Sequence, residues 1–207
     1  MLNLLVVRHA QSVWNAAGRW QGHADPPLST EGAVQARAVA ERNSGGSLAD
    51  VRSIVSSDLK RARQTAEIIA ETLKVGSVTC DEGWRERDVG EWQGLTSEEI
   101  ERDYPGALAT NNYPPAWESH ESLTARVLQA AARLGDSVPN GVVLVVSHAG
   151  VIYALERHFD AGFARTGNLN GCRLLVKSGE VSLHGRVTLD ADADADNRRP
   201  AATTQRQ

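Results

Sequence analysis

The chain has 207 residues, of which 41% are hydrophobic and 23% charged, with a formal net charge of -4. That fits one globular domain with a full core and offers no clustered basic excess for nucleic acid or an anionic membrane. Cys80 and Cys172 are too few for a disulfide framework and lack metal-ligand spacing, no apolar stretch reaches spanning length, and no basic segment precedes the first apolar run, so a reduced, cytoplasmic protein is expected.

Leu4-Leu5-Val6-Val7 predicts a buried strand over about 2–8 that stops on Arg8 and His9. Parallel sheets present ligands at the carboxyl ends of such strands, so both side chains fall where a pocket should be. The loop to Pro27 is polar, punctuated by glycine and long for a compact domain, which points to a binding role. Ser29 or Thr30 caps a helix to about Asn43, with Val34, Ala38 and Val39 on its apolar face, and Ser44-Gly45-Gly46-Ser47 breaks it. A second strand at 51–56 opens into a helix from about Asp58 to Lys74, in which Ala62, Ala66, Ile69 and Leu73 recur at helical spacing. Arg61 lies in its first turn, where unpaired backbone N–H groups attract anions, whereas Arg63 faces solvent.

A short strand near 78–80 leads into the charged stretch 83–94. Thr96 and Glu99 form a capping box for a helix to about Tyr104, which Pro105-Gly106 ends. The segment from there to Pro115, with Asn111-Asn112-Tyr113-Pro114-Pro115, reads as a loop or lid edge over the pocket, and the next helix runs to about Gly135. The fourth strand, 142–147, ends like the first: its apolar run passes into Ser147-His148-Ala149-Gly150, and a helix follows from about Val151 to His158. Residues 172–176 and 181–184 read as a closing hairpin. From Asp190 the Ala-Asp repeats lack the glycine and terminal glutamate of a calcium loop, so the division expected is a domain over 1–187 and a disordered tail over 188–207. Strand and helix alternate in a way that predicts a three-layer α/β domain with a mostly parallel sheet.

Two strands ending in histidine and two arginines beside them describe a phosphate site, because a guanidinium presents a planar fork of donors that a lysine cannot reproduce. Arg8-His9-Ala10-Gln11-Ser12, Gly18-Arg19-Trp20-Gln21-Gly22, Ser56-Ser57-Asp58-Leu59-Lys60-Arg61-Ala62, Arg85-Glu86 with Gly90 and Trp92-Gln93-Gly94, and Ser147-His148-Ala149-Gly150 stand in that order. Together they resemble the histidine phosphatase superfamily, the phosphoglycerate mutase-like proteins, over roughly residues 2 to 155. The resemblance implies a phosphoglycerate mutase-like α/β/α fold with one antiparallel edge strand. It implies His9 as a nucleophile that forms a phosphohistidine, and Glu86 as the proton donor. Arg8, Arg61, His148 and Asn15 would hold the phosphoryl oxygens, and Ser12, Gln21, Gly22 and Ala149 would face the ligand. No metal and no cofactor are implied; the substrate is a small-molecule phosphomonoester, with no nucleic-acid or membrane partner, and a homodimer is left open.

Three departures are visible: Ala10 and Ala149 stand where the family mostly has glycine, and His120 replaces the glycine before Glu121-Ser122. A methyl matters at the first two only if the backbone needs a positive φ. Hydrolysis competes with a mutase that returns the phosphoryl group, a non-catalytic phosphate binder, and a metallohydrolase using the two histidines. Roughly sixty residues separate Glu86 from His148, too few for the insertion that shuts water out of a mutase, and adjacent guanidinium groups oppose a divalent ion. Arg19, Arg85 and Arg87 fit either recognition of a second acidic group or surface salt bridges.

Overall fold

The structure, a computed structural model, describes residues 1–191. Its centre is β1 (Leu2–Arg8), which pairs in parallel with β4 (Gly141–Ser147) and antiparallel with β5 (Asn170–Lys177). The sheet continues on one side through β2 (Val51–Ser56) to β3 (Thr79–Cys80) and on the other to β6 (Glu180–Thr188), in the order β3-β2-β4-β1-β5-β6. The strand that opposes the others is β5, which lies one place inside the edge. A hairpin turn at Ser178-Gly179 returns the chain as β6, antiparallel to β5, so the expectation of an antiparallel strand at the edge is corrected by one position.

Alternation along β1 builds the three layers. Leu2, Leu4 and Val6 face α6 (His120–Ser137) and α7 (Ala149–His158), with Val127, Ile152 and Leu155 beneath them. Leu5 and Val7 face α2 (Thr30–Asn43) and α3 (Lys60–Leu73), against Val39, Ala66 and Ile69. A strand covered on both faces has no polar side to show, which is why its sequence reads as an apolar run. On α2 the buried positions are Gly32, Ala36, Val39 and Ala40, and Val34, expected on the apolar face, is 59% exposed. Small residues let this helix approach closely, and such a face gives weak hydrophobic contrast in sequence.

A smaller apolar cluster of Trp92, Ile100 and Ala107 joins α4 (Ser97–Asp103) and the short α5 (Ala107–Thr110) into a cap beside the main core. The segment expected as loop after Pro105-Gly106 thus carries a helical turn, α5. At the other end, β6 reaches Thr188, and Leu189 and Asp190 are buried, Asp190 pairing with Arg42. The packed chain thus extends past the boundary expected at 187, because Asn170 and Asn43 hydrogen-bond this stretch. The tail expected beyond residue 191 lies outside the described residues. Among the described residues no helix is long and apolar enough to cross a membrane.

Candidate active site

At the carboxyl ends of β1 and β4 the chain encloses a cavity of about 1030 Å³. Register explains the meeting of two histidines: Arg8 is paired with Ser147, so the residues that follow, His9 and His148, emerge side by side. Their rings lie edge to face with centroids 5.2 Å apart. His9 is 2% exposed and its Nδ1 contacts the Ala10 carbonyl at 2.6 Å. A carbonyl only accepts, so Nδ1 carries the proton and Nε2 keeps its lone pair. Burial, and then the charges on Arg61 and Arg8, hold the His9 imidazole well below its ordinary pKa. His148 is lowered likewise, by burial, Arg61 and His9, so both rings are neutral near pH 7.

Arg61 leaves the first turn of α3 fully buried, its Nη1 donating to the Ala24 carbonyl at 2.7 Å and its Nη2 to the Gly22 carbonyl at 2.9 Å. Burial pulls its pKa down to about 10, against the opposing pull of Glu86 and Asp25. Arg8 donates through Nη1 to the Thr166 carbonyl at 2.9 Å. The Nε atoms of Arg8 and Arg61 and both ring nitrogens of His148 are buried with no hydrogen-bond partner among the described residues. Buried donors left unpaired are costly, and an oxyanion with several acceptor oxygens is the ligand that would satisfy them together.

Glu86 sits across the cavity, its Oε1 accepting from the Arg87 N–H at 2.8 Å and its Oε2 from the Gly150 N–H at 3.3 Å. A Cβ at Gly150 would meet Glu86 Oε1, so a side chain there would push the Glu86 carboxylate from this position. Neither Ala10 nor Ala149 has a positive φ, so the backbone at those two departures accepts a methyl. Ala149 is the first residue of α7, lines the cavity, and brings the positive end of that helix to it.

Arg8, His9, Asn15, Gln21, Gly22, Glu86 and Ala149 all line the cavity. Arg61, His148 and Ser12 are fully buried and do not form its wall. Ser12, expected to face the ligand, instead caps α1 (Val13–Ala16): its Oγ accepts from the Asn15 N–H at 3.0 Å and donates to Gln21 Oε1 at 2.6 Å. The Asn15 Oδ1 accepts from the Ser12 N–H at 3.2 Å, leaving the amide NH2 group for the cavity. Asn15 therefore both fixes its own turn and presents a donor.

Among the three undecided arginines, Arg85 is clamped by Asp58 and does not line the cavity. Arg19, on the wall, is paired with Glu99 at 3.0 Å. Arg87 is the recognition candidate: it lines the wall beside Glu86, its guanidinium lies 5.4 Å from the centre of the Trp117 ring, and burial lowers its pKa. Tyr113, stacked on Trp117 at 4.1 Å, and Trp20 complete this side, so the lid edge expected at 111–115 does border the cavity.

Several supports of the site join distant segments and carry no signal in the local sequence. Thr65 Oγ1 accepts from the Ala10 N–H at 3.1 Å and donates to the Arg61 carbonyl at 2.7 Å, tying β1 to α3. Asn168 Nδ2 donates to the His9 carbonyl at 2.6 Å, and the Tyr153 hydroxyl accepts from the Thr166 N–H at 3.1 Å. Both contacts lie in the chain just before β5, which its pairing with β1 brings to the site.

Two predictions follow directly from this burial. Arg61→Lys should lower kcat/KM by on the order of 10², because one ammonium cannot hold the Gly22 and Ala24 carbonyls and also reach two phosphoryl oxygens. Activity within about twofold of the unsubstituted protein would remove Arg61 from the account. For pH, His9 and His148 have folded pKa values below the unfolded value of about 6.5, so below that pH the unfolded chain binds protons that the folded chain refuses. Stability should be unaffected by them above about pH 6.5 and should fall as pH drops, by up to ~1.4 kcal/mol per pH unit for each ring. Denaturant unfolding of the ligand-free protein at pH 7 and pH 5.5 measures this, and a His9→Gln/His148→Gln variant that shows an equally steep loss would contradict it.

The sequence of residues 4–171 matches the Histidine phosphatase superfamily (branch 1). It is 38% identical over 162 residues to the uncharacterized phosphatase PhoE of Bacillus subtilis, covering 78% of this chain and 79% of that one. It is 35% identical over 159 residues to a metal-independent phosphoserine phosphatase of Arabidopsis thaliana, covering 73% and 66%. The fold superposes on a mycobacterial glucosyl-3-phosphoglycerate phosphatase in complex with VO3 with a TM-score of 0.78 and 32% identity, over 88% of this chain and 97% of that one. By its ordered motifs, its central sheet and this match over most of its length, the chain belongs to branch 1 of the histidine phosphatase superfamily.

Proposed function

We propose that the protein hydrolyses a small phosphomonoester through a phosphohistidine on His9. The observation that carries this reading is the bare Nε2 of His9 among buried guanidinium and imidazole nitrogens that lack partners. In the first step Nε2 attacks phosphorus in line, the P–O bond to the leaving group breaks, and Glu86 as its acid gives a proton to the departing oxygen. Arg8, Arg61, His148 and the Asn15 amide stabilise the charge spread over the three remaining oxygens. In the second step a water molecule attacks the phosphohistidine, Glu86 takes its proton, and free phosphate leaves with His9 restored.

Arg87 beside Glu86 favours a leaving group with an acidic function close to the ester oxygen. The names of the relatives that act on phosphoserine and glucosyl-3-phosphoglycerate agree with such a substrate. The clustered guanidinium charges favour chemistry without a metal, and the free thiols Cys80 and Cys172 favour a cytoplasmic location. A phosphate-release screen over phosphoserine, phosphoglycerates, sugar phosphates and nucleotides tests the reading. Release that is unchanged by EDTA is expected, with acidic phosphomonoesters preferred. Isomerised phosphoglycerate formed with a bisphosphoglycerate primer and without phosphate release would replace hydrolysis by a mutase reaction.

A further inference from the structure

Glu86 lies on an irregular stretch between two 3-10 turns, Glu82–Trp84 and Gly90–Trp92, where no sheet ladder fixes the backbone. Its carbonyls need other partners. The side chain that supplies them comes from α6. Arg126 donates through Nη1 to the Arg85 carbonyl at 2.8 Å and the Gly83 carbonyl at 3.1 Å, and through Nη2 to the Glu86 carbonyl at 2.8 Å. The same guanidinium grips Glu118 from Nε at 2.7 Å and from Nη2 at 2.8 Å. His23 donates to the Glu86 carbonyl as well, at 2.8 Å.

Glu118 follows Trp117, which lines the cavity, and its backbone is tied to the acid-bearing stretch from both sides. The Glu118 N–H donates to the Asp88 carbonyl at 2.9 Å, and Arg87 Nη1 donates to the Glu118 carbonyl at 2.6 Å. Arg126 and Glu118 are mostly buried, with side chains 23% and 12% exposed. A buried ion pair is weak evidence for stability, because desolvating both charges offsets much of their attraction. Its geometry nevertheless fixes direction: only a planar fork can bond three carbonyls and a carboxylate together.

We propose that Arg126 is a positioning residue for proton donation, holding Glu86 at the leaving-group oxygen and linking it through Glu118 to the Trp117 side of the cavity. This rests on the reading of Glu86 as the acid. A role limited to stability would slow all esters alike, whereas misplacement of the acid slows only esters whose leaving group needs a proton. The test is the single-turnover phosphorylation rate of folded Arg126→Gln on an alkyl phosphate and on p-nitrophenyl phosphate, with vanadate inhibition as a measure of the phosphate site.

The expected result is a loss at least tenfold greater on the alkyl ester, with vanadate inhibition within about twofold of the unsubstituted protein. Glu118→Gln, which keeps the size of the side chain but removes its charge, should show the same selectivity with a smaller loss, and it carries the test if Arg126→Gln does not fold. Equal losses on both esters, or no loss, would overturn the proposal. Glu86→Gln run alongside separates the two ideas: if it is selective and the Arg126 and Glu118 variants are not, only the positioning role falls, and if it is not selective, the proton-donor reading falls first.

Discussion

His9→Ala should cut phosphate release by at least about 10⁴-fold, the scale on which enzymes lose turnover when a covalent nucleophile is removed. The reason is specific to this site. The contact between Nδ1 and the Ala10 carbonyl fixes the tautomer, and burial with Arg61 and Arg8 nearby keeps the ring neutral, so Nε2 is available without prior deprotonation. Binding should survive better than turnover, since Arg8, Arg61 and Asn15 remain, and vanadate or phosphate should still protect the variant against unfolding. A folded His9→Ala protein that keeps turnover within tenfold would mean that water attacks phosphorus directly.

Glu86→Gln should lower kcat on an alkyl phosphate by roughly 10² to 10⁴. Glutamine keeps the size of the side chain but only one acceptor oxygen, which can serve the Arg87 or the Gly150 N–H and not both, so a missing proton has to be told from a displaced side chain. Leaving-group chemistry supplies the control. An alkoxide leaves badly without a proton, whereas p-nitrophenolate is stable near neutral pH, so its phosphorylation step should suffer far less. Steady-state rates can hide the difference because the proposed mechanism also uses Glu86 to activate water in the second step, and the phosphorylation burst is the quantity to compare. Equal burst losses on the two esters would make Glu86 a shaping residue and place the acid elsewhere.

The parts of the site on regular strands were legible in sequence. Leu4 to Val7 and Val142 to Val146 announce buried strands, and Arg8, His9 and His148 follow at their ends, where a parallel sheet must open. Arg61 was readable because a helix start follows β2 directly. What escaped was contact between segments far apart in the chain. Arg126 looks like an ordinary polar residue of an amphipathic helix, and only the packing of α6 beside the first 3-10 turn brings it to Glu86. Ser12 was misread because a serine can cap a helix or face a ligand, and the Asn15 three residues on was the clue to the cap. Val34 was misread because the sheet-facing side of α2 is built from Gly32, Ala36 and Ala40, which carry little hydrophobic signal. The hairpin of β5 and β6 was legible, but which of its strands lies beside β1 is set by pairing between distant segments that no local pattern encodes.

The central claim is a covalent phosphoryl group on one ring nitrogen, and it is tested most directly by trapping it. The protein is mixed with a ³²P-labelled phosphomonoester, quenched within the first turnover and digested, and the labelled peptide is mapped by mass spectrometry. The account predicts a label that is stable to base, lost in acid, and located on His9. A label on another residue, or turnover that proceeds with no trapped label when the burst shows the intermediate should accumulate, would contradict it.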